Sequence, residues 1–524
     1  MNTNKEKMRS FIFYHLDGIA LIPTVLTLGK NNILNEFSEE KISLSSLSKK
    51  FQASEGYLNV ALRLLCCQGW LSQEFQNNDV FFKKNESIDL VNIYNTYKII
   101  EPFFLEEFNY EYFLRLTEAE KSEKEMTLFN IINKYLLHRN KILTTRNQKL
   151  NLEKHIEGII LGPILVFLSR KGLLSINNLK DLKINENWKS LLNNLFSTLN
   201  IINKENDNIT EFGQFLFKRS SAYGVTVSYL PTFRKLEDLI FKNPNILWEK
   251  KESAAEIHVD RKMNVWGSGG AHKLYFQKVD EIIINLFNLP IEQQPKGFID
   301  IGCGDGSLIE HIFDLIYYKT KRGELLKDFP LVIIGSDFNY KALEVTKENI
   351  ENADIWANTA FGDIGNPKEL AKRIKKEYNV NLEDLLNVRS FLDHNRIYKK
   401  PKNKNPLTSN SQCSFSFRGK RIKNEVLSQN LYEHFSDWKP YLKKYGLLIV
   451  ELHSINPQKT KENLGKNSMT AYDATHGYSD QYIIEYENYL MEAKRAGLEP
   501  EKKHEHLFPN KEIPIVSVNR LICK

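Results

Sequence analysis

Glycines alternate through Phe298-Ile-Asp-Ile-Gly-Cys-Gly-Asp-Gly-Ser307, where an apolar run gives way to a helical pattern at Gly302, Gly304 and Gly306. Lacking Cβ atoms and free to adopt positive φ, such a turn lets a ligand lie directly on the main chain. It reads as a loop for a nucleotide-type cofactor. No Lys-Ser/Thr pair follows to grip phosphates, which argues against a P-loop, and the spacing is Gly-x-Gly-x-Gly rather than Gly-x-Gly-x-x-Gly. Asp300 stands just before the glycines. A second apolar run, Leu331-Val-Ile-Ile-Gly-Ser-Asp337, also ends in an acid.

With these residues the chain resembles the class I S-adenosylmethionine (SAM) methyltransferases, whose first strand carries this acid-and-glycine loop and whose second strand ends in an acid. The resemblance implies that Asp300, Gly302, Gly304 and Gly306 bind the cofactor and that Asp337 holds the ribose hydroxyls with Phe338 beside the adenine. Phe361-Gly-Asp-Ile364 resembles the next family element, which implies adenine contacts from Asp363 and Ile364.

A second set of reactive side chains follows the later apolar runs, in Val388-Arg-Ser-Phe-Leu-Asp-His-Asn-Arg396, Leu448-Ile-Val-Glu-Leu-His453 and Tyr472-Asp-Ala-Thr-His-Gly-Tyr-Ser-Asp-Gln-Tyr482. Arg389, Asp393, His394, His453, His476 and Gln481 are the candidates. Taken singly, each histidine also fits an ordinary hydrogen-bonded position. As a set, neutral imidazoles and an amide oxygen suit a divalent Fe or Mn ion with open positions, whereas a structural zinc would want cysteines. Such an ion would serve methyl transfer to carbon, because a carbon between two carbonyls becomes a nucleophile only after deprotonation, and a Lewis acid favours that loss. His394 or Asp393 is the candidate base.

The strings VRSFLDHNR, THGYSDQY and NVWGSGGAH resemble the mononuclear-metal C-methyltransferase domains of apratoxin-type polyketide synthase loading modules. That resemblance implies metal ligands at His453, His476 and Gln481, with Asp393 and His394 as base or supporting partners. It implies a malonyl-type or β-carbonyl acyl substrate carried on an acyl carrier protein. The chain is expected to be free-standing, since no carrier-like or acyltransferase-like segment is attached. The alternative is a winged-helix small-molecule O- or N-methyltransferase, which needs a base but no metal.

These residues need a sheet to stand on. From Lys273 onward apolar runs at Phe298–Ile301, Leu331–Ser336, Leu385–Leu392, Leu447–Leu452 and Ile513–Cys523 alternate with helical patterns. That is a doubly wound, mostly parallel α/β sheet, Rossmann-like, with ligands beyond the carboxyl ends of its strands. The preceding half repeats itself: His15-Leu-Asp-Gly-Ile-Ala-Leu-Ile-Pro23 aligns with His155-Ile-Glu-Gly-Ile-Ile-Leu-Gly-Pro163. A mainly helical region with winged-helix-like repeats is expected, giving domains at 1–140, 141–260 and 261–524. The first recognition-type helix, Glu55 to Gln68, offers only Arg63 as a cation, which excludes nucleic acid as its partner and leaves a lid or dimerisation element. Lys262 to Phe276, with three glycines beside Trp266, His272 and Tyr275, reads as a gate over the cofactor or a hinge.

At 524 residues the chain exceeds what one core usually supports. Its net charge of +7 is mild for that length, but eight Lys or Arg and no acid fall between Lys399 and Asn424. That stretch is either a mobile solvated insertion or a docking surface for an acidic partner such as a carrier protein. Five cysteines form neither a zinc spacing nor a disulfide framework. No apolar run reaches bilayer-spanning length and Met1 to Ser10 is polar, so no membrane and a cytoplasmic location are expected.

Overall fold

The computed structural model describes residues 2–115, 121–249 and 256–524. They group into two compact units: 1–270 with 416–421 and 457–479, and 271–415 with 422–456 and 480–524. The leading segment of the first unit runs to Gly270, and residues of both helical modules, from Ile12 to Val259, share one apolar core.

In the first unit, α1 (Asn2–Lys30) leads into β1 (Ile42–Ser43), α2 (Leu44–Phe51), α3 (Glu55–Cys67) and a hairpin of β2 (Leu71–Gln76) and β3 (Asp79–Lys84). Ser43 and Ser54 cap α2 and α3 by accepting the amides of Ser46 and Tyr57. The sheet order β1-β3-β2 beside these helices makes a winged helix. The sequence repeat appears as α1 and α4 (Leu152–Arg170), which cross at their glycines. A Cβ on Gly18 would lie 2.3 Å from the His155 Cα, and one on Gly158 would lie 2.3 Å from the His15 carbonyl oxygen. The flanking histidines bond reciprocally as well, His15 Nδ1 to Tyr223 at 2.7 Å and His155 Nδ1 to Tyr97 at 2.6 Å. Contrary to expectation, α1 is long and apolar enough to cross a membrane by length and composition, but its apolar face is spent on this core.

Lys262 to Phe276 belongs to a helix, α5 (Arg261–Phe287), and the division between the two units falls within it, after Gly270. The glycine at 267 serves packing, since a Cβ there would sit 2.6 Å from the Val225 amide nitrogen. The side chains of 270–273, His272 among them, lie outside the described residues. The first unit also includes α6 (Met469–Gly477).

The second unit is a seven-stranded sheet in the order β11-β12-β10-β7-β4-β5-β6. Its strands are β4 (Gly297–Ile301), β5 (Val332–Asp337), β6 (Asn358–Phe361), β7 (Leu386–Ser390), β10 (Leu447–Leu452), β11 (Leu498–Phe508) and β12 (Val516–Cys523). The run from β10 to β6 is parallel, while β12 pairs antiparallel with β10 and β11. Every residue of β4 and β10 is buried, as strands covered on both faces must be. The chain leaves β4 toward β5 on one side and returns to β7 on the other, so the switch point where ligands bind lies at the carboxyl ends of β4 and β7.

The basic stretch is not a mobile insertion. It folds into β8 (Phe415–Phe417) and β9 (Lys420–Ile422), and Asn424 donates its side-chain amide to the carbonyls of Ser411 and Cys413. Two of its cations are structural: the Arg418 guanidinium stacks 3.7 Å from the Trp248 ring centre, and Arg421 pairs with Glu55 at 3.2 Å. Lys400, Lys402, Lys404 and Lys420 stay exposed.

The crossing of α1 and α4 leaves no room for a methyl group, so Gly158→Ala is expected to cost about 1–3 kcal/mol of stability. Denaturant unfolding reads this directly, and an unchanged midpoint would mean that the helices do not meet as closely as described.

Candidate active site

The cofactor loop has the backbone that its glycines allow. Gly302, Gly304 and Gly306 have φ of 81°, 58° and 82°, and the amides of Gly302 and Cys303 both donate to the Ser336 carbonyl at 2.7 and 3.1 Å. The position a Cβ would take on Gly304 meets nothing within 4 Å, so this face of the loop is open. The Gly304 amide donates to Asp337 Oδ2 at 3.3 Å, while Asp337 Oδ1 accepts the Asn339 amide at 2.9 Å. Phe338 is largely exposed, and Tyr340 stacks on Phe361 at 4.9 Å between ring centres. Asp363 caps its own turn by accepting the Gly365 amide, and the buried Ile364 offers its carbonyl to the Trp438 indole at 2.8 Å.

Asp300 is buried and its Oδ1 has no hydrogen-bond partner. Burial first, then the charges of Asp337 and Asp305, push its carboxyl up to about 7. A buried acid in that state, beside an open glycine loop, suits a cationic ligand.

At the end of β7, the strand places Arg389 under the helix Asn424–Trp438, with its guanidinium 3.9 Å from the Trp438 ring centre. Arg389 Nη1 donates to Asp393 Oδ1 at 2.8 Å, His434 Nε2 donates to the same oxygen at 3.2 Å, and the Tyr489 hydroxyl donates to Oδ2 at 2.8 Å. Burial opposes ionisation of Asp393, but the Arg389 cation followed by the His434 and Tyr489 hydrogen bonds overrides it, holding the carboxyl well below the usual range. A carboxylate so fully engaged is a poor proton acceptor, which leaves His394 as the base candidate.

His394 has a partner that the sequence reading did not assign. Glu451, buried in β10, accepts the His394 Nδ1 proton at 2.5 Å on Oε1 and the Asp393 amide at 2.7 Å on Oε2. A carboxylate can only accept, so Nδ1 carries the proton and Nε2 the lone pair, which receives the Asn395 amide at 3.2 Å. Its signal in the sequence was an acid inside the apolar run Leu447–Leu452.

The three candidate ligands are distributed over both units: His453 and Gln481 in the second, His476 in the first. His453 is fully buried, its Nε2 bonds Ser517 Oγ at 2.8 Å, and its Nδ1 has no partner. Burial pulls its pKa down to about 3, so the ring is neutral. His476 Nδ1 donates to the Tyr472 carbonyl at 2.7 Å, which makes Nε2 the basic nitrogen. For His476 that is the tautomer a metal ligand takes, whereas the Ser517 hydroxyl can donate or accept and does not fix the tautomer of His453. Among the described residues, no three His, Cys, Asp or Glu side chains form a metal-holding group, so a site would need the Gln481 amide oxygen or ligands from a substrate.

A mostly parallel sheet with a glycine turn after β4 and an acid ending β5 defines a class I SAM-dependent methyltransferase. Family comparison narrows this: residues 256–519, just over half of the chain, match the AprA MT2-like domain, 8–73 the AprA N-terminal domain and 157–243 the AprA winged helix domain. The chain belongs to the AprA-like methyltransferase family. No curated protein matches it. Similar solved structures include an O-methyltransferase family protein from Burkholderia thailandensis, 12% identical over 72% of this chain and 98% of that one, with a TM-score of 0.41. An O-methyltransferase family 2 protein from Planctomyces limnophilus is 11% identical over 98% of this chain and 95% of its own, with a TM-score of 0.36. The N,N-8-amino-8-demethyl-D-riboflavin dimethyltransferase RosA from Streptomyces davawensis is 11% identical over 73% of this chain and 100% of its own, with a TM-score of 0.35.

The raised Asp300 pKa makes cofactor binding pH-dependent. Free enzyme holds this proton up to about pH 7, and a sulfonium cation favours the ionised form, so binding SAM at pH 6 to 7 should expel a proton. Affinity should then weaken as pH falls below 7. Calorimetry in two buffers of different ionisation enthalpy measures the proton, and Asp300→Asn should abolish it; heats independent of buffer in the wild type would rule this out.

Proposed function

We propose that this enzyme is a metal-assisted C-methyltransferase acting on the α-carbon of a malonyl-type or β-carbonyl acyl group borne on an acyl carrier protein, in polyketide-type biosynthesis. The observation that carries the reading is a division among the imidazoles. His394 is backed by the Glu451 carboxylate, as a base must be to stabilise its imidazolium, whereas His453 and His476 are held by neutral groups.

His394 Nε2 would take the α-proton, with Glu451 compensating the charge that develops on the ring. The electron pair left on carbon would attack the SAM methyl group as its bond to sulfur breaks, releasing S-adenosylhomocysteine. A divalent Fe or Mn ion, held by His453, His476 and Gln481, would supply Lewis acidity toward the two carbonyl oxygens. Burial of His453 keeps its ring neutral at any working pH, as ligation requires. The exposed Lys400, Lys402 and Lys404 would face an acidic carrier, steering encounter rather than adding tight contacts. Arg418 and Arg421 have no part in this, being committed to the fold.

Proton removal can be watched without methyl transfer. With a malonyl thioester in deuterated water and no SAM, the wild type should exchange the α-proton, and His394→Ala should slow exchange by about 10²–10⁴-fold while still binding SAM. Chelator-treated enzyme should lose exchange and regain it with Mn²⁺ or Fe²⁺. Normal turnover by metal-free enzyme would eliminate the metal and favour the O- or N-methyltransferase alternative, for which the same base would serve.

A further inference from the structure

At the carboxyl ends of its strands the second unit carries a row of half-buried aromatic rings that proton transfer does not use. Phe391 follows β7, Phe508 closes β11 and Tyr275 comes from α5. The ring centres of Phe391 and Tyr275 are 6.0 Å apart and those of Tyr275 and Phe508 are 5.1 Å apart, both pairs edge to face.

Phe391 stands in an unusual backbone. Its φ is 53°, a left-handed conformation that a bulky residue rarely adopts, and its amide is fixed there by the Val450 carbonyl at 2.7 Å. Strain of this kind gathers at functional sites, where the surroundings impose it to aim a side chain. The neighbouring residue shows where the turn lies: a Cβ on Gly302, the first glycine of the cofactor loop, would come within 2.8 Å of the Leu392 side chain. Phe391 is therefore one residue away from a direct contact with that loop.

Tyr275 is tied to the same loop from the other side. The helix that opens at the glycines, Ser307–Lys319, carries His311, whose Nε2 donates to Asp280 of α5 at 2.6 Å and whose ring packs 4.9 Å from that of Phe276. This part of α5 is thereby pinned to the helix of the cofactor loop, while the Tyr275 ring meets Phe391 in the turn that leads to His394.

We propose that Phe391 and Tyr275 form the wall against the sulfonium of SAM, and that their rings distinguish the cationic methyl donor from its neutral product. A cation within about 6 Å of a ring centre is drawn to the negative face of the ring, which is worth about twofold in affinity where water has access and up to about thirtyfold where it is excluded. A neutral thioether has no such attraction. Once the methyl group has left and its bonding pair stays on sulfur, the wall no longer holds S-adenosylhomocysteine. The proposal needs only SAM as the donor and is independent of the metal and of the atom that accepts the methyl group.

Calorimetry on the full chain measures SAM and S-adenosylhomocysteine separately. Phe391→Leu and Tyr275→Leu should each weaken SAM by about three- to tenfold and leave S-adenosylhomocysteine within about twofold of the wild type. Because leucine at 391 alters packing in a strained turn, pentafluorophenylalanine is also placed there by codon reassignment. It keeps the outline of the ring and reverses the charge of its face, so it should lower the affinity for SAM and not for S-adenosylhomocysteine. Rings that act by shape alone would lose both ligands equally on truncation and neither on fluorination. That result, or an unchanged affinity for SAM in all three variants, overturns the proposal.

Discussion

The carboxylate of Asp393 is the buried charge around which the reactive end of the sheet is arranged. It is wholly inaccessible, and it stays ionised only because Arg389, His434 and Tyr489 surround it. Those partners come from β7 and from two helices, Asn424–Trp438 and Tyr486–Arg495. Stripping one partner from such a group strands a charge at about 3–5 kcal/mol, so these elements are locked together at this point. The same turn then passes the Asp393 amide to Glu451, and Glu451 fixes His394. An imidazole of defined tautomer is thus the end of a chain of hydrogen bonds that starts at a guanidinium.

That guanidinium also ties the reactive turn to the cofactor side. Arg389 stacks on Trp438, and the Trp438 indole donates to the Ile364 carbonyl in the loop after β6. One tryptophan therefore sets the spacing between a loop implied in adenine binding and the turn that carries His394. In methyl transfer the donor carbon and the acceptor must be held in line within a few tenths of an ångström, and packed rings and charged hydrogen bonds hold such spacings better than mobile loops do.

What was legible in the sequence was local. The glycine turn, the acid ending β5 and the apolar strands announce themselves because their backbone requirements are written in adjacent residues. The misreadings all involve distant partners. The glycines in Lys262–Phe276 read as a gate or hinge, and what the sequence did not show is that one of them, Gly267, has Gly224 packed against it. The basic stretch looked solvated, but Trp248 and Glu55, far away in the chain, take up Arg418 and Arg421. Arg63 was noted only as the lone cation of its helix, and its pairing with Asp473, some four hundred residues onward, left no sequence signal. β11 was missed because Leu498-Glu-Pro-Glu-Lys-Lys-His-Glu-His-Leu-Phe508 is an edge strand, where charges and a proline protect rather than disrupt. Glu451 was visible as an acid in an apolar run, but its role depends on His394 meeting it across the sheet.

The nature of the methyl acceptor is the central point, and it can be read in one spectrum. Enzyme loaded with Mn²⁺ or Fe²⁺ would be given SAM carrying a ¹³C-labelled methyl group and a malonyl group on a carrier protein, and the product examined by carbon-13 magnetic resonance. A labelled methyl bonded to the malonyl α-carbon, shown by its correlation to that carbon, is the expected result. A labelled methyl on oxygen or nitrogen would contradict C-methylation outright.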